Sequence, residues 1–323
     1  MEKVLSVVVP TLNRCEYLKR TFELLLPQIE RNKDKVELVI CCNASKDETD
    51  EYMKCILQQY SYIVYKYFDN YVEVGESLIR SFHLATGKYC VLWGDDDLPF
   101  PYLIDYLLDI ILSNPKVSII HLNRLHGKDT VYGLKGVQTL DGIFKQEYEV
   151  MPVSNLINRF TISLGFISSL VFKREVWDDR QLDASKGFYG YEHLPFILCG
   201  AKDSTAIYCN LPMLIQRNPM NRDFSAKWPL YHFIGVPNMM RYFDDIGLTE
   251  TAYESWDKNH NSSFPAFFWN MAYTSLDRKK YKSLCKEMNV SQKSRLRRFL
   301  TYVLVYTFPK SLFKMIKAHL YKN

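Results

Sequence analysis

Near its N-terminus the chain carries VLSVVVPTLNR at residues 4–14, in which the run Val4 to Val9, apolar except for Ser6, is followed by a proline and a polar turn. A run of this kind is typical of a strand that is buried on both faces. An amphipathic helix is predicted next, at residues 16–30, and a second apolar run follows at residues 36–42. Unbroken apolar strands joined by helices indicate βαβ units, and therefore an α/β fold with a mainly parallel sheet and helices on both faces.

The same alternation of elements continues to about residue 122. Helices are predicted at residues 47–59, 72–85 and 100–113, and strands at residues 62–68, 88–93 and 117–122. The second half is less regular, with loops or a hairpin predicted at residues 123–146, strands at 167–172 and 205–209, and a helix at 191–199. From Trp228 onward the sequence is helical and aromatic. We therefore predict one α/β domain at residues 1–225 and a helical C-terminal region at residues 226–323.

Composition excludes several classes of protein. The 323 residues are 47% hydrophobic and 24% charged, with 13 glycines and 13 prolines, which is incompatible with collagen-like, low-complexity or disordered chains. The eight cysteines form no CxxC pair, so neither a disulfide framework nor a zinc site is expected. We also expect no secretory signal and no membrane span, and hence reduced thiols in the cytoplasm.

Basic residues are concentrated at the C-terminus. Residues 288–323 hold eight Lys or Arg and no acidic residue, whereas the rest of the chain is mildly acidic. This distribution argues against a general nucleic-acid-binding protein. In the tail, Lys310, Lys314 and Lys317 share one helical side, while apolar residues lie largely on another. Such a segment suits an anionic membrane surface, and it also suits a helix packed on the core or a contact in a homodimer.

The sequence LWGDDDLP at residues 92–99 carries the clearest chemical signal. Three consecutive carboxylates directly after a buried strand repel one another in a poorly solvated crevice. A hard divalent cation, Mg²⁺ or Mn²⁺, would relieve that repulsion and would take oxygen ligands from the protein and from substrate phosphates. The alternative is a solvated acidic turn in which Asp97 caps the next helix. No glycine-rich phosphate loop is present, so neither a dinucleotide site nor a P-loop is supported.

Three motifs together resemble a known family. SVVVPTLNR at residues 6–14, CNASKDET at residues 42–49, and ATGKY at residues 85–89 leading into GDDD resemble the family 2 glycosyltransferases, which have the Rossmann-like GT-A fold. The GDDD variant and GFISSLVFKRE at residues 165–175 are similar to the abequosyltransferase-like subgroup of bacterial polysaccharide enzymes. The likeness is good over residues 3–115 and weaker to about residue 220. It implies a nucleotide-sugar half at residues 1–115 and an acceptor half at 116–225.

The resemblance also implies roles for individual residues in the nucleotide-sugar half. Asp96, with Asp97, would hold Mn²⁺ or Mg²⁺. Cys42 stands where the family usually has an aspartate that contacts the base, and a thiol is a poor hydrogen-bond partner. That contact is therefore expected to be weakened or taken over, for example by Asn43. The residues predicted to bind the nucleotide are Pro10, Thr11, Asn13, Arg14, Cys42, Asn43 and Asp95.

Family members commonly place an acidic pair at the start of a helix in the second half, and YGYEHLP at residues 189–195 is the matching position here. Glu192 or His193 would accept the proton of the acceptor hydroxyl, since either side chain can act as a general base. The alternatives are a carboxylate that favours the helix dipole and a structural histidine. The predicted acceptor-binding residues are Tyr191, Arg217, Arg222 and Trp228, because aromatic rings cover sugars and arginines grip phosphates.

These features together predict a metal-dependent, inverting hexosyl- or deoxyhexosyltransferase. It would move a sugar from a nucleotide-sugar donor to a lipid-linked saccharide acceptor of a bacterial surface polysaccharide, such as a capsule or O-antigen. It would be a peripheral protein at the inner face of the cell membrane. The placement in surface-polysaccharide synthesis comes from the resemblance alone. Two alternatives stay open: a nucleotidyltransferase of similar α/β layout, and a catalytically inactive GT-A protein that acts in binding or assembly.

Overall fold

The computed structural model describes residues 2–127, 147–217, 231 and 235–261, together with the single positions 296, 299, 303, 309 and 311. The chain forms two compact units. The first unit comprises Met1–Ala184 and Glu192–Asn221, and the second comprises Ser185–Tyr191 and Arg222–Asn323. The division of the first unit into a nucleotide-sugar half and an acceptor half concerns function and stays a prediction.

The N-terminal part of the first unit is a parallel α/β layer. Its strands are β1 at Leu5–Thr11, β2 at Val36–Asn43, β3 at Ile63–Phe68 and β4 at Tyr89–Leu92. They pair in the order β3-β2-β1-β4, all of them parallel. The helices between them are α1 at Cys15–Arg31, α2 at Thr49–Gln59 and α3 at Val74–Phe82. Every βαβ unit predicted from the apolar runs in this part is present.

The sheet continues with strands of mixed direction. These strands are β5 at Leu98–Pro99, β6 at Val117–Gly127, β7 at Tyr148–Pro152, β8 at Leu170–Lys173 and β9 at Thr205–Arg217. The order after β4 is β8-β6-β9-β5, with β7 paired to β9. β8 is antiparallel to β4 and β6, and β5 and β7 are antiparallel to β9, so the sheet is parallel mainly in its N-terminal part. The helices are α4 at Leu103–Ser113, α5 at Val153–Phe160, α6 at Leu182–Ser185 and α7 at His193–Leu198.

Two strands extend beyond the ends predicted for them. β6 continues through residues 123–127, which were predicted to be loop, and β9 continues from residue 209 to Arg217. The extensions pair with each other through an irregular register around Asn123, whose side-chain amide donates to the Asn210 carbonyl at 2.7 Å. Polar residues and a proline thus continue the strands by way of a bulge, which an alternation pattern does not reveal. Residues 167–169 are a 3₁₀ turn and not strand. Residues 128–146 lie outside the described part.

At the edge of the sheet where β4 begins, a buried carboxylate accepts hydrogen bonds from several residues. Glu37 accepts hydrogen bonds from the Ser6 hydroxyl, from the Thr86 N–H at 2.6 Å and hydroxyl at 2.8 Å, and from the Gly87 N–H at 3.2 Å. A Cβ at Gly87 would lie 2.8 Å from the main-chain nitrogen of Ser6, so only glycine allows this approach. The ATGKY motif therefore has a structural role, and the opposite edge carries the remaining motifs.

The second unit is described mainly by two helices, α8 at Val236–Asp245 and α9 at Ala252–Asn261. Asp244 joins them: one carboxylate oxygen accepts from the Ala252 N–H at 2.9 Å and the other from the Tyr253 N–H at 3.0 Å. Most of the basic tail lies outside the described residues. Among the residues that are described, no helix combines the length and apolar character needed to cross a bilayer.

Candidate functional site

Two polar loops interlock where β1 and β2 end. Asn13 has a left-handed backbone (φ 53°), which asparagine tolerates better than most residues. Its N–H donates to the Ser45 hydroxyl at 2.9 Å, and its side-chain carbonyl accepts from the Lys46 N–H at 2.6 Å. Asp47 accepts from the Cys15 N–H at 2.9 Å. The PTLNR and NASKD motifs are thus hydrogen-bonded to each other, and the turn at Asn13 determines the position of Arg14.

The carboxylate turn after β4 lies beside these loops. Asp95 is buried, and its two oxygens accept from the Thr11 hydroxyl at 2.8 Å and from Arg14 Nη1 at 2.9 Å. The same Arg14 nitrogen is 3.2 Å from Asp96 Oδ2. Burial raises the pKa of Asp95 to about 6, an effect that the Arg14 charge opposes. The structure therefore brings together the predicted residues Thr11, Arg14, Asp95 and Asp96.

Asp97 points to a different partner. It is fully buried and accepts a hydrogen bond from the Ser168 hydroxyl at 2.6 Å, and burial together with the neighbouring Asp96 raises its pKa well above the ordinary value. The next helix begins only at Leu103, behind Tyr102, so the interpretation of Asp97 as its cap is wrong. Of the three side chains, Asp96 is the more accessible, at 15% exposed against 5% for Asp95.

Two side chains form hydrogen bonds to the main chain of the carboxylate turn. Thr21 was not identified from the sequence, and Arg217 was predicted to have a different role. The Thr21 hydroxyl, on α1, donates to the Asp95 carbonyl at 2.9 Å. Arg217, predicted as an acceptor contact, is 1% exposed and donates from Nε to the Asp96 carbonyl and from Nη2 to the Tyr17 carbonyl at 3.3 Å. It therefore braces the carboxylate turn through the main chain.

A second buried arginine lies close to Asp97. Arg124, on the extended part of β6, donates to the Gln216 side chain at 2.9 Å and to the Ser163 hydroxyl at 3.1 Å, and its guanidinium lies 4.4 Å from the centre of the Phe166 ring. Burial lowers the pKa of Arg124 to about 10, while the charge of Asp97 acts in the opposite direction. Ser168 lies in the stretch at residues 165–175 that carries the resemblance but was given no role there, and Arg124 was missed because a single arginine forms no sequence pattern.

On the nucleotide side, the predicted residues lie along the ends of β1 and β2. Pro10 is half-buried, and Cys42 is fully buried opposite Thr11 in the pairing of the two strands. The Asn43 amide donates to the Val72 carbonyl at 2.9 Å and accepts from the Val72 N–H at 3.1 Å and from the Arg80 guanidinium. Asn43 thus fastens the segment before α3. Its assignment as the replacement contact to the base stays a prediction.

The two candidate bases have different surroundings. His193, the first residue of α7, is 1% exposed; its ring nitrogens find no hydrogen-bond partner among the described residues, and burial lowers its pKa to about 4. Glu192 is half-buried, and its carboxyl group lies against Gly75 of α3, where a Cβ would come within 2.5 Å of it. In the second unit, Tyr191 is half-buried, while Arg222 and Trp228 lie outside the described residues.

These residues fit a cation that is held partly by its substrate. No group of three His, Cys, Asp or Glu side chains suited to enclosing a metal occurs among the described residues. Asp97 is turned toward Ser168, and Asp95 is shared with Thr11 and Arg14, which leaves Asp96 as the most available carboxylate. Magnesium-type ions are commonly held by one or two carboxylates plus substrate phosphates. The donor set therefore suits a cation bound together with a diphosphate.

Comparison with known proteins gives consistent matches. The family model "Glycosyl transferase family 2" matches residues 6–166. The chain is 28% identical over 246 residues to abequosyltransferase RfbV of Salmonella typhimurium, and this match covers 69% of each chain.

Solved structures with a similar fold include residues 1–349 of TarS from S. aureus, with 14% identity, a TM-score of 0.56 and coverage of 97% of this chain and 91% of that one. They also include the mannosyltransferase PcManGT from Pyrobaculum calidifontis in complex with GDP-Man and Mn²⁺, with 13% identity, a TM-score of 0.54 and coverage of 97% and 87%. At these identities the likeness concerns the fold alone, and it confirms the predicted GT-A fold.

The buried state of His193 predicts a specific acid sensitivity. Its pKa is near 4 when folded but ordinarily near 6.5, so between those values the unfolded chain binds a proton that the folded chain does not, and stability falls as the pH falls. Over pH 7.5 to 5.0 this amounts to about 2 kcal/mol. His193→Leu should lose less stability over that range by about this amount, measured by urea unfolding at both pH values. The unmodified protein, unfolded by urea at the same two pH values, is the reference. An unaltered pH dependence in His193→Leu would contradict the neutral, buried assignment.

Proposed function

Because the chain belongs to glycosyl transferase family 2, we propose that it transfers a sugar, with inversion, from a nucleotide-sugar donor to a lipid-linked saccharide in a metal-dependent reaction. The family assignment decides against the nucleotidyltransferase alternative. The product would be part of a bacterial surface polysaccharide. The likeness to an abequosyltransferase and the lipid-compatible tail both support this proposal.

The observation that carries the proposal is the braced carboxylate turn. Asp95 and Asp96 meet Arg14 and Thr11 at the carboxyl ends of β1 and β4, where ligands bind in open α/β sheets. The turn has no freedom to relax outward, since Thr21 and Arg217 bond its main-chain carbonyls. Like-charged groups held in this way are poised for a cationic partner. PcManGT, which has the same fold, was solved with GDP-Man and Mn²⁺, and this also supports a donor-linked cation.

In the proposed reaction, Asp96, backed by Asp95, would hold Mn²⁺ or Mg²⁺ against the donor diphosphate. A bound cation of this kind offsets the negative charge that develops on the leaving diphosphate. Pro10, Thr11, Asn13 and Cys42 would border the base and ribose. Because the Cys42 thiol is a poor hydrogen-bond partner, recognition of the base would depend on main-chain groups and shape more than on this side chain.

We assign the general base to Glu192. Inverting transfer requires a group that accepts the proton of the acceptor hydroxyl as it attacks the anomeric carbon. His193 is 1% exposed and has a pKa of about 4, so it is poorly accessible and only weakly basic. Glu192 is half-buried and is therefore the more accessible of the two. His193 would then pack beneath it. Tyr191, Arg222 and Trp228 are proposed to contact the acceptor.

The proposed donor site predicts metal-dependent binding. A thermal-shift screen of UDP-, GDP-, CDP- and dTDP-sugars, each with Mn²⁺, Mg²⁺ or EDTA, should give a metal-dependent rise in Tm for one nucleotide class. Asp96→Asn should abolish that rise, because it removes the charge that holds the cation. Asp105→Asn, at an exposed surface ion pair, is the matched control and should keep the rise. No rise for any donor in the unmodified protein would favour the inactive binding or assembly protein.

The base assignment predicts different effects at neighbouring residues. Glu192→Gln should lower kcat by about 10²- to 10⁴-fold with little change in donor affinity, because it removes proton transfer alone. Gly75→Ala should also lower kcat, since its Cβ would displace the Glu192 carboxyl group. His193→Leu should keep most activity if it folds. Single-turnover kinetics with saturating donor would measure all three. Loss of turnover in His193→Leu with normal turnover in Glu192→Gln would reverse the assignment.

The proposed peripheral location depends on the tail. Deleting residues 293–323 should release the protein from liposomes rich in anionic lipid, and replacing Lys310, Lys314 and Lys317 by glutamine should weaken binding in the same direction. Liposome co-sedimentation, with neutral lipid as the control, measures this. Unchanged sedimentation after deletion would remove the tail from the membrane proposal. A change of oligomeric state in light scattering would instead favour a dimer contact.

A further inference from the structure

Arg14 stands at a fixed place between two motifs. It is the residue just before α1, and its carbonyl accepts the Leu18 N–H at 3.0 Å as the helix begins. The main chain and the side chain of the preceding residue, Asn13, are both hydrogen-bonded to the loop after β2. The main chain at Arg14 therefore has little freedom, and its side chain starts from a defined position beside the carboxylate turn.

The guanidinium of Arg14 bridges two carboxylates with a single nitrogen. Nη1 lies 2.9 Å from Asp95 Oδ1 and 3.2 Å from Asp96 Oδ2. Because it contacts both oxygens at once, the guanidinium offsets the negative charge of both carboxylates. A divalent ion bound to Asp96 would be repelled by the guanidinium.

Exposure differs between the two ends of this bridge. The Arg14 side chain is 33% exposed and that of Asp96 is 15% exposed, whereas Asp95 is 5% exposed. Asp95 is also held by the Thr11 hydroxyl, independently of Arg14. The contact to Asp96 is therefore the longer and more accessible one, and when Arg14 is displaced Asp95 stays held by the Thr11 hydroxyl.

We propose that Arg14 is the internal counter-ion of the cation site, holding Asp96 until a divalent cation replaces it there. The inference deepens the proposed function and rests on it, since it assumes a cation at Asp96. Two properties follow. The carboxylate turn stays ordered without metal, because Arg14 neutralises part of its charge. Metal alone binds weakly, because it must displace the guanidinium, and a donor diphosphate strengthens binding by offering the released Arg14 an anionic partner.

Binding of Mn²⁺ alone, without any nucleotide, tests the proposal directly. Isothermal titration calorimetry or the electron paramagnetic resonance signal of free Mn²⁺ would compare the unmodified protein, Arg14→Gln and Arg31→Gln. Arg14→Gln should bind Mn²⁺ about tenfold more tightly, because a competing positive charge is gone. Arg31→Gln removes the same charge from an exposed ion pair at the other end of α1 and should bind as the unmodified protein does.

Thermal unfolding gives a second readout that a merely structural role would not produce. In EDTA, Arg14→Gln should have a lower Tm than the unmodified protein, and saturating Mn²⁺ should remove most of the difference. Arg14→Lys, which keeps the charge, should stay close to the unmodified protein in both measurements. If Arg14→Gln does not fold, a clear gain of Mn²⁺ affinity in Arg14→Ala purified with Mn²⁺ would serve equally.

Equal or weaker Mn²⁺ binding in Arg14→Gln would overturn the counter-ion role. So would a loss of stability that Mn²⁺ leaves unchanged. Absence of Mn²⁺ binding in every variant would overturn it as well. The proposed glycosyl transfer is judged separately, by the metal-dependent donor screen, so failure of the counter-ion role and failure of the proposed function are distinguishable.

Discussion

The site depends on one electrostatic constraint, the placement of three adjacent carboxylates at the end of a buried strand. Asp95 forms an ion pair with Arg14 and accepts a hydrogen bond from Thr11, and Asp97 accepts one from Ser168. Between them, Asp96 keeps an accessible carboxylate, while its main-chain carbonyl is held by Arg217. The surrounding loops are arranged to satisfy this requirement. The interlock of Asn13 with Ser45 and Lys46 is what brings Arg14 within reach.

Much of the fold could be predicted because burial on both faces leaves a direct trace in the sequence. The runs that became β1 to β4 are mostly apolar, and their pairing is the parallel one expected of βαβ units. The extension of β9 to Arg217 left no such trace, since it contains Asn210 and Pro212 and pairs through a bulge. Likewise, the reversed direction of β8 is a property of the connection and not of the strand's own residues.

The candidate site could likewise be predicted only in part. The motifs predicted that the residues at the ends of β1 and β4 lie close together, because those strand ends share one edge of the sheet. It did not identify Thr21, Ser168 or Arg124, whose importance comes only from their distance to the carboxylate turn. For Glu192 and His193, the sequence offered two adjacent ionisable groups, and burial distinguishes them. His193 is fully buried, whereas the glutamate before it in the chain is only half-buried.

The bond from Arg217 to the Asp96 carbonyl spans 121 positions of the chain, and the bond from Thr21 to Asp95 spans 74. Contacts of such large sequence separation require extensive chain closure before they form. During synthesis, the N-terminal βαβ units can assemble before Arg217 has been synthesised. The nascent chain therefore carries its acidic turn for a time without the last of its supports, and the turn is completed only after β9 has joined the sheet.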